Sequence, residues 1–307
     1  MLCMTGPRAQ TPANPADHPL RAALERGERL RAESAPALQY LIAAQDQSLI
    51  GEAVVAQVRG MLSDLADQLA VAAGLPTPHE RSSVSNQLLA HLLLQEDLRA
   101  HSQALALEWR LALILEDEFA IDPVLAPIMQ AWVADSEAAT SSLAMAVLSA
   151  QARFAQSQRR MQLPLAELPA ELFHAVITVA REALQSDSHE AQLRADYDEA
   201  ATRLALLSRL ARGAGSRSQD VLAIEQAGVA LWLSVLSARS GESRERTACA
   251  AADPHLGRLL LTLRAAGASP ADAERQALYV QPNRELPRGL GDVGTREAAQ
   301  WLAEAQL

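Results

Sequence analysis

DPVLAPIMQAWVADSEAATSSLAMAVLSAQARFAQSQRRM, residues 122–161, is the stretch whose pattern decides the fold. Asp122 is a favourable N-cap, and Pro123 suits the first helical position, where its missing N–H would have had no partner. Leu125, Ile128 and Trp132 then recur at helical spacing. A corner is expected at Ala134-Asp135-Ser136, with Asp135 or Ser136 capping a second helix. In that helix Leu143, Val147, Ala150, Phe154 and Met161 line one face, while Arg153, Gln156, Arg159 and Arg160 lie mostly off it. Neither helix can bury its stripe alone, so the hairpin must stack on others.

The same plan extends outward. Leu20–Glu33 is expected to be helical, with Ser34-Ala35-Pro36 ending that helix and capping a short one through Gln45. A helix from Ser48 should run to Gly74, with Pro76 and Pro78 preventing continuation. The run from Ser82 to Phe119 holds no Gly or Pro and is too long for one ordinary helix, so a break is expected near His101-Ser102. Pro164 and Pro169 mark a second joint. Helices are expected over about 170–185, 188–212 and 218–238, with a short one near Ala248. Asp253-Pro254 repeats the Asp-Pro start and opens a helix to Ala266, and Ser269-Pro270 opens another through Val280. The organisation expected is a loose, Pro-rich arm over 1–18, an all-helical, repeat-like domain over 19–280 with sub-boundaries near 75–80 and 162–169, and a loop plus final helix over 281–307. The fold class is all-α: stacked helical hairpins in an irregular α-solenoid, with an irregular helical bundle as the alternative.

Composition supports this. Of the 307 residues 49% are hydrophobic but only 3% aromatic, so the core must be built from Ala, Leu, Val and Ile, and alternating strand signals are absent. All 27 basic residues are Arg. Without Lys there is no phosphate-loop, Schiff-base or kinase-type ATP lysine, which removes whole enzyme classes. A net charge of −10 opposes coating nucleic acid or an anionic membrane. Two cysteines, Cys3 and Cys249, argue against a disulfide framework. Apolar runs such as LALIL at 111–115 and VALWL at 229–233 fall far short of a membrane span, and the first residues lack a signal-peptide core. A cytoplasmic protein is expected.

The run SEAATSSLAMAVLSAQARFAQSQRRMQLPLAELPAELFHAV at 136–176, and less closely Asp253–Val280, resembles an uncharacterised family of Ala/Leu-rich, HEAT-like helical proteins of alphaproteobacteria. In that family an Asp near the corner, here Asp135, precedes a second helix rich in small residues. The resemblance implies an α-solenoid, and it carries no activity or functional residue with it.

Candidate chemistry is sparse. Glu171 and His174 have the Glu-x-x-His spacing of di-iron bundles, yet no second copy exists; Glu171 complementing a helix N-terminus, with His174 at its edge, explains the pair. His91 and His101, ten residues apart, lie about 80° from one another around a helix and form no ligand pair. Asp97 and His101 at i,i+4 read as a surface pair. Glu116-Asp117-Glu118 reads as a solvated helix end. Residues 259–280 have a helix-turn-helix outline, but the second helix offers Asp272, Glu274, Arg275 and Gln276, a mixed set for reading DNA. Trp109, Trp132, Trp232 and Trp301 read as packing residues. The best basic patch is Arg153, Arg159 and Arg160, whose forks suit a partner protein's acidic segment. No catalytic, metal-binding or cofactor-binding residue is expected. The expected function is a non-catalytic protein-binding or scaffolding module. A DNA-binding regulator using the 259–280 corner is the alternative, followed by an enzyme with an unrecognised helical-bundle site around Glu171 and His174.

Overall fold

The computed structural model describes residues 18–43, 51–74, 77–185, 190–213, 219–282 and 284–305. Among these residues there are fourteen α-helices and no strand. No helix among them is long and apolar enough to cross a membrane.

The first half comprises α1 (Pro19–Ala43), α2 (Glu52–Ala72), α3 (Pro78–Leu92), α4 (Glu96–Phe119), α5 (Pro127–Val133), α6 (Ala138–Arg159) and α7 (Ala170–Leu184). The second comprises α8 (Glu190–Asp196), α9 (Arg203–Gly213), α10 (Ile224–Ser240), α11 (Arg244–Ala252), α12 (Gly257–Ala265), α13 (Pro270–Val280) and α14 (Thr295–Glu304).

The buried side chains form two cores. The larger is centred on α10, which is buried on every side from Ala227 to Leu236 and packs on α4, α5, α9, α11 and α12. A helix that is apolar all round belongs in the middle of a bundle. Its backbone breaks at Gly228, where φ is 68° and ψ 161°; a Cβ there would also stand 2.9 Å from Ala126 Cβ. The indole N–H of Trp232 donates to the Leu222 carbonyl at 3.0 Å, so the ring is buried without stranding a donor. The smaller core joins α2, α3, the start of α4, residues 163–168 and α7. Sequence neighbours pair as hairpins (α2 with α3, α5 with α6), but α1 also packs on α12, α4 on α11 and α6 on α9. Neighbouring and remote helices thus both share the cores, and the all-helical architecture fits stacked hairpins or a bundle.

Several local expectations need correction. Asp122 caps, but it caps a turn: its Oδ1 accepts from the N–H groups of Val124 and Leu125 at 2.7 and 2.8 Å, and the helix begins only at Pro127. Met161 lies beyond α6 rather than on its face, in the left-handed region at φ 54°, and packs over Gly60 of α2. α1 continues through Pro36 to Ala43 instead of ending at Ser34-Ala35-Pro36. The break expected at His101-Ser102 falls instead at Leu93–Gln95; Ser102 is fully buried inside α4. The single helix expected over 188–212 is α8, a 3-10 turn at Glu199–Ala201 and α9. Asp253 again caps a turn, accepting from His255 N–H at 2.9 Å, so α12 starts at Gly257.

Other starts and stops are as expected. Gly74 closes α2 with φ 70°, Ser269 caps α13 through Asp272 N–H at 3.1 Å, and α7 follows Pro169. The expected arm over 1–18, the start at Ser48 and Pro76 fall, but for His18, outside the described residues. The described residues 77–80 of the first expected joint are exposed, whereas the 162–169 segment and the tail pack into the cores. Leu163, Leu165 and Leu168 are buried in the smaller core, Ala298, Trp301 and Leu302 of α14 in the larger, and Arg264 of α12 donates to the Val293 carbonyl at 2.8 Å.

Candidate functional site

The loop after α6 is shaped by one face of α2. Gln57, Asp64 and Gln68 recur at helical spacing; Gln57 reaches the last turn of α6 and the other two reach the loop. Gln57 donates to the Gln158 carbonyl at 2.7 Å, Asp64 accepts from Leu163 N–H at 3.0 Å, and Gln68 accepts from Leu165 N–H at 2.8 Å while donating to the Leu163 carbonyl at 2.9 Å. Burial pushes the Asp64 carboxyl up from its ordinary range, and the hydrogen bonds it accepts from Leu163 and Gln68 oppose that shift. Held this way, the loop stands off from α4 and α9 and leaves a cavity of about 400 Å³. Its walls include the apolar side chains of Leu105, Phe154, Leu163, Pro164 and Leu204, and its polar lining includes His101, Arg153, Arg160 and Arg203. That volume lies within the range of small-ligand sites.

Behind the inner wall lies a buried ion cluster. Arg203 grips Glu108 with both nitrogens, at 2.7 and 3.1 Å, and each of the two side chains is 3% exposed. Arg244 adds a second contact to Glu108 at 2.9 Å and donates to Ser234 Oγ and the Ala230 carbonyl. Arg203 also donates to Gln151 Oε1 at 3.0 Å and lies over the Phe154 ring, its guanidinium carbon 3.6 Å from the centroid. Burial alone would raise the Glu108 carboxyl, but the two guanidinium groups outweigh it and hold the group at about 2. Burial works the opposite way on Arg244, lowering it. Full ionisation of such a cluster requires this density of partners, since an unpaired buried charge is prohibitively costly.

His101 completes the wall. The ring is buried, its Nδ1 lies 3.2 Å from Glu245 Oε1 of α11, and its Nε2 is buried without a hydrogen-bond partner. The hydrogen bond from His101 holds the Glu245 carboxyl down at about 2. The expected Asp97–His101 pair does not form: Asp97 is exposed and His101 turns inward to Glu245.

The three arginines expected to act together are divided. Arg153 and Arg160 both line the cavity, Arg153 with Glu167 at 3.6 Å. Arg160 is exposed and has no carboxylate partner among the described residues. Arg159 turns away, its guanidinium 5.8 Å from the Trp109 ring centroid.

The remaining candidates are accounted for individually. Glu171 sits in the first turn of α7, and His174 is exposed with its Nδ1 2.5 Å from an Arg194 nitrogen. No group of three His, Cys, Asp or Glu that could hold a metal ion occurs among the described residues. His91 contacts the Gln87 carbonyl at 2.9 Å on the surface. Glu116, Asp117 and Glu118 are a solvated helix end. The 259–280 segment has its expected helix-turn-helix outline, but Gln276 is buried, accepting from Ile224 N–H at 2.7 Å and donating to Glu225 at 3.1 Å. Arg275 is paired with Asp272 at 2.9 Å. Trp109, Trp232 and Trp301 are buried, and Trp132 packs against the larger core.

A second buried arginine, Arg258, joins Glu28 of α1 at 2.6 Å and Glu242, tying α1 to α12. Neither ion cluster was anticipated from sequence. One signal existed: Glu108 falls on the 101, 105, 108, 112, 115 stripe of α4, where a charged residue on a core face demands a partner. No family model, curated protein or solved structure matches this chain.

Proposed function

We propose that the chain is a non-catalytic binding module of the cytoplasm whose contact edge is the end of α6, where Arg153 and Arg160 border an apolar-walled cavity. The observation that carries this is Arg160: exposed, unpaired with any carboxylate among the described residues, and on the rim of that cavity. A guanidinium in this position presents a free fork to a carboxylate while the walls accept apolar side chains, which matches an acidic partner segment bearing leucine or phenylalanine. The charged groups in the inner wall are satisfied by one another, which favours a rigid binding surface over reacting groups. The resemblance of residues 136–176 to HEAT-like bacterial helical proteins enters this reading as a matter of architecture alone. Two cysteines in the whole chain, with Cys249 a free thiol, fit the compartment.

The test is selection from a random peptide display library against the folded chain, with counter-selection on Arg153→Glu/Arg160→Glu. Enrichment of sequences pairing Asp or Glu with Leu or Phe, lost on the double variant, supports the proposal. Enrichment that survives the double variant, or none at all, overturns it.

A further inference from the structure

A second and larger cavity, of about 640 Å³, lies between α4, α11 and the end of α13, and it shares no lining residue with the first. Leu107, Leu111, Ile114 and Glu118 line it from α4, at spacings of four, three and four, so they form one stripe along that helix, and Arg110 flanks the stripe. Ala251 of α11 and Val280 of α13, both buried, extend the apolar wall.

The charged lining carries both signs. Arg110 and Glu118 are exposed, they do not pair with each other, and neither has an ion-pair partner among the described residues. Their positions on one rigid helix set them about 12 Å apart along its axis. Arg284 is exposed and lines the cavity as well. The other polar side chains of the lining are committed: Glu108 to Arg203 and Arg244, Gln281 to the Ala251 carbonyl. An apolar wall between two separated charges is complemented by a molecule with the opposite charge at each end and apolar groups between. A short peptide with free termini is such a molecule, and three extended residues span about 10 Å, which matches the separation on α4. The volume falls within the range of small-ligand sites.

We infer that this groove binds tripeptide-sized ligands with both termini free and apolar side chains, the ammonium at Glu118 and the carboxylate at Arg110. The inference is independent of the α6 edge and its arginines.

The probes are the peptide Leu-Ala-Leu, its N-acetylated form, its C-terminal amide and Ser-Gly-Ser, titrated calorimetrically into the full chain. The expected result is saturable one-to-one binding of free Leu-Ala-Leu. Each capped form should bind about threefold to fivefold more weakly, the scale of a solvent-accessible ion pair. Ser-Gly-Ser, with both charges but nothing for the apolar wall, should bind more weakly still. Glu118→Gln should erase the effect of acetylation and keep that of amidation; Arg110→Gln should do the reverse. Both residues are exposed, so neither change disturbs a core. Equal affinities of free and capped peptides, or absence of saturable binding, would overturn the inference. So would capping effects that persist in both variants. Arg153→Glu/Arg160→Glu should bind Leu-Ala-Leu with unchanged affinity; loss of binding there would place the peptide in the other cavity and overturn the assignment.

Discussion

The guanidinium of Arg203 and the carboxylate of Glu108, 95 positions apart in the chain, meet side-on through two hydrogen bonds at 2.7 and 3.1 Å inside the molecule. The pair fastens α9 to α4, and Arg244 brings α11 to the same carboxylate. Its stabilising value is asymmetric. Intact, such a cluster contributes little beyond a well-packed apolar equivalent; with one member removed, the rest are stranded.

Glu108→Ala leaves two arginines facing each other in the core. Its expected cost is about 3–5 kcal/mol, read as a lowered midpoint in urea. Arg203→Met should cost less, because Arg244 still faces the carboxylate and the methionine chain can cover Phe154. Were Glu108→Ala to cost under about 1 kcal/mol, the cluster would not be holding these helices together.

Stability should fall on acidification, and the sign follows from the lowered carboxyls. Glu108 and Glu245 are each held at about 2, below the ordinary glutamate value of 4.5. Their contribution is therefore fully present above about pH 4.5 and is lost as pH falls toward 2. For the buried Glu108 the integrated loss is on the order of 3 kcal/mol. Glu245 is about a third exposed, and water screens its share. Urea melts at stepped pH check this: Glu108→Gln should flatten the acid limb while being less stable than the parent at pH 7.

Gly257 marks the place where α12 crosses α1. A Cβ built there would stand 2.4 Å from Leu24 N and 2.6 Å from the Ala23 carbonyl carbon, both backbone atoms that have no rotamer in which to escape. Gly257→Ala should cost about 1–3 kcal/mol through overpacking. Gly213→Ala meets nothing within 4 Å and should be neutral or slightly stabilising. Equal thermal midpoints for the two variants would contradict the close crossing.

Burial pushes the Cys249 thiol up to about 11, so little thiolate exists at neutral pH. In a Cys3→Ser variant, a disulfide reagent at pH 8 should label the native protein many-fold more slowly than the urea-unfolded chain. Rapid native labelling would show that the half-buried thiol is reached in the folded protein.

How far the sequence announced this structure depends on the kind of signal. Helical content followed from periodicity and from the scarcity of aromatic and β-branched runs, and the caps at Gly74 and Ser269 were legible because they act within a few residues. Asp122-Pro123 and Asp253-Pro254 misled for a physical reason: an Asx turn and a helix N-cap use the same residues, and only the backbone conformation of the next few positions separates them. The long 82–119 run hid its break because Leu93–Gln95 holds no Gly or Pro. Of the site, Arg153 and Arg160 were legible as a local patch. The approach of His101 to Glu245, 144 positions away, was not, since no local pattern encodes a contact made by the packing of α4 on α11.

α4 runs through both cores, with Leu98 and Leu105 in the smaller and Trp109, Ala112 and Leu115 in the larger. The cavity draws its walls from each side of that division, Leu163 from one and Leu204 from the other. A rigid rod common to two packings transmits displacement instead of absorbing it. An occupant wedged at this boundary would therefore act as a keystone, and amide exchange in α7 and α9 should slow together when it enters, although these helices belong to different cores.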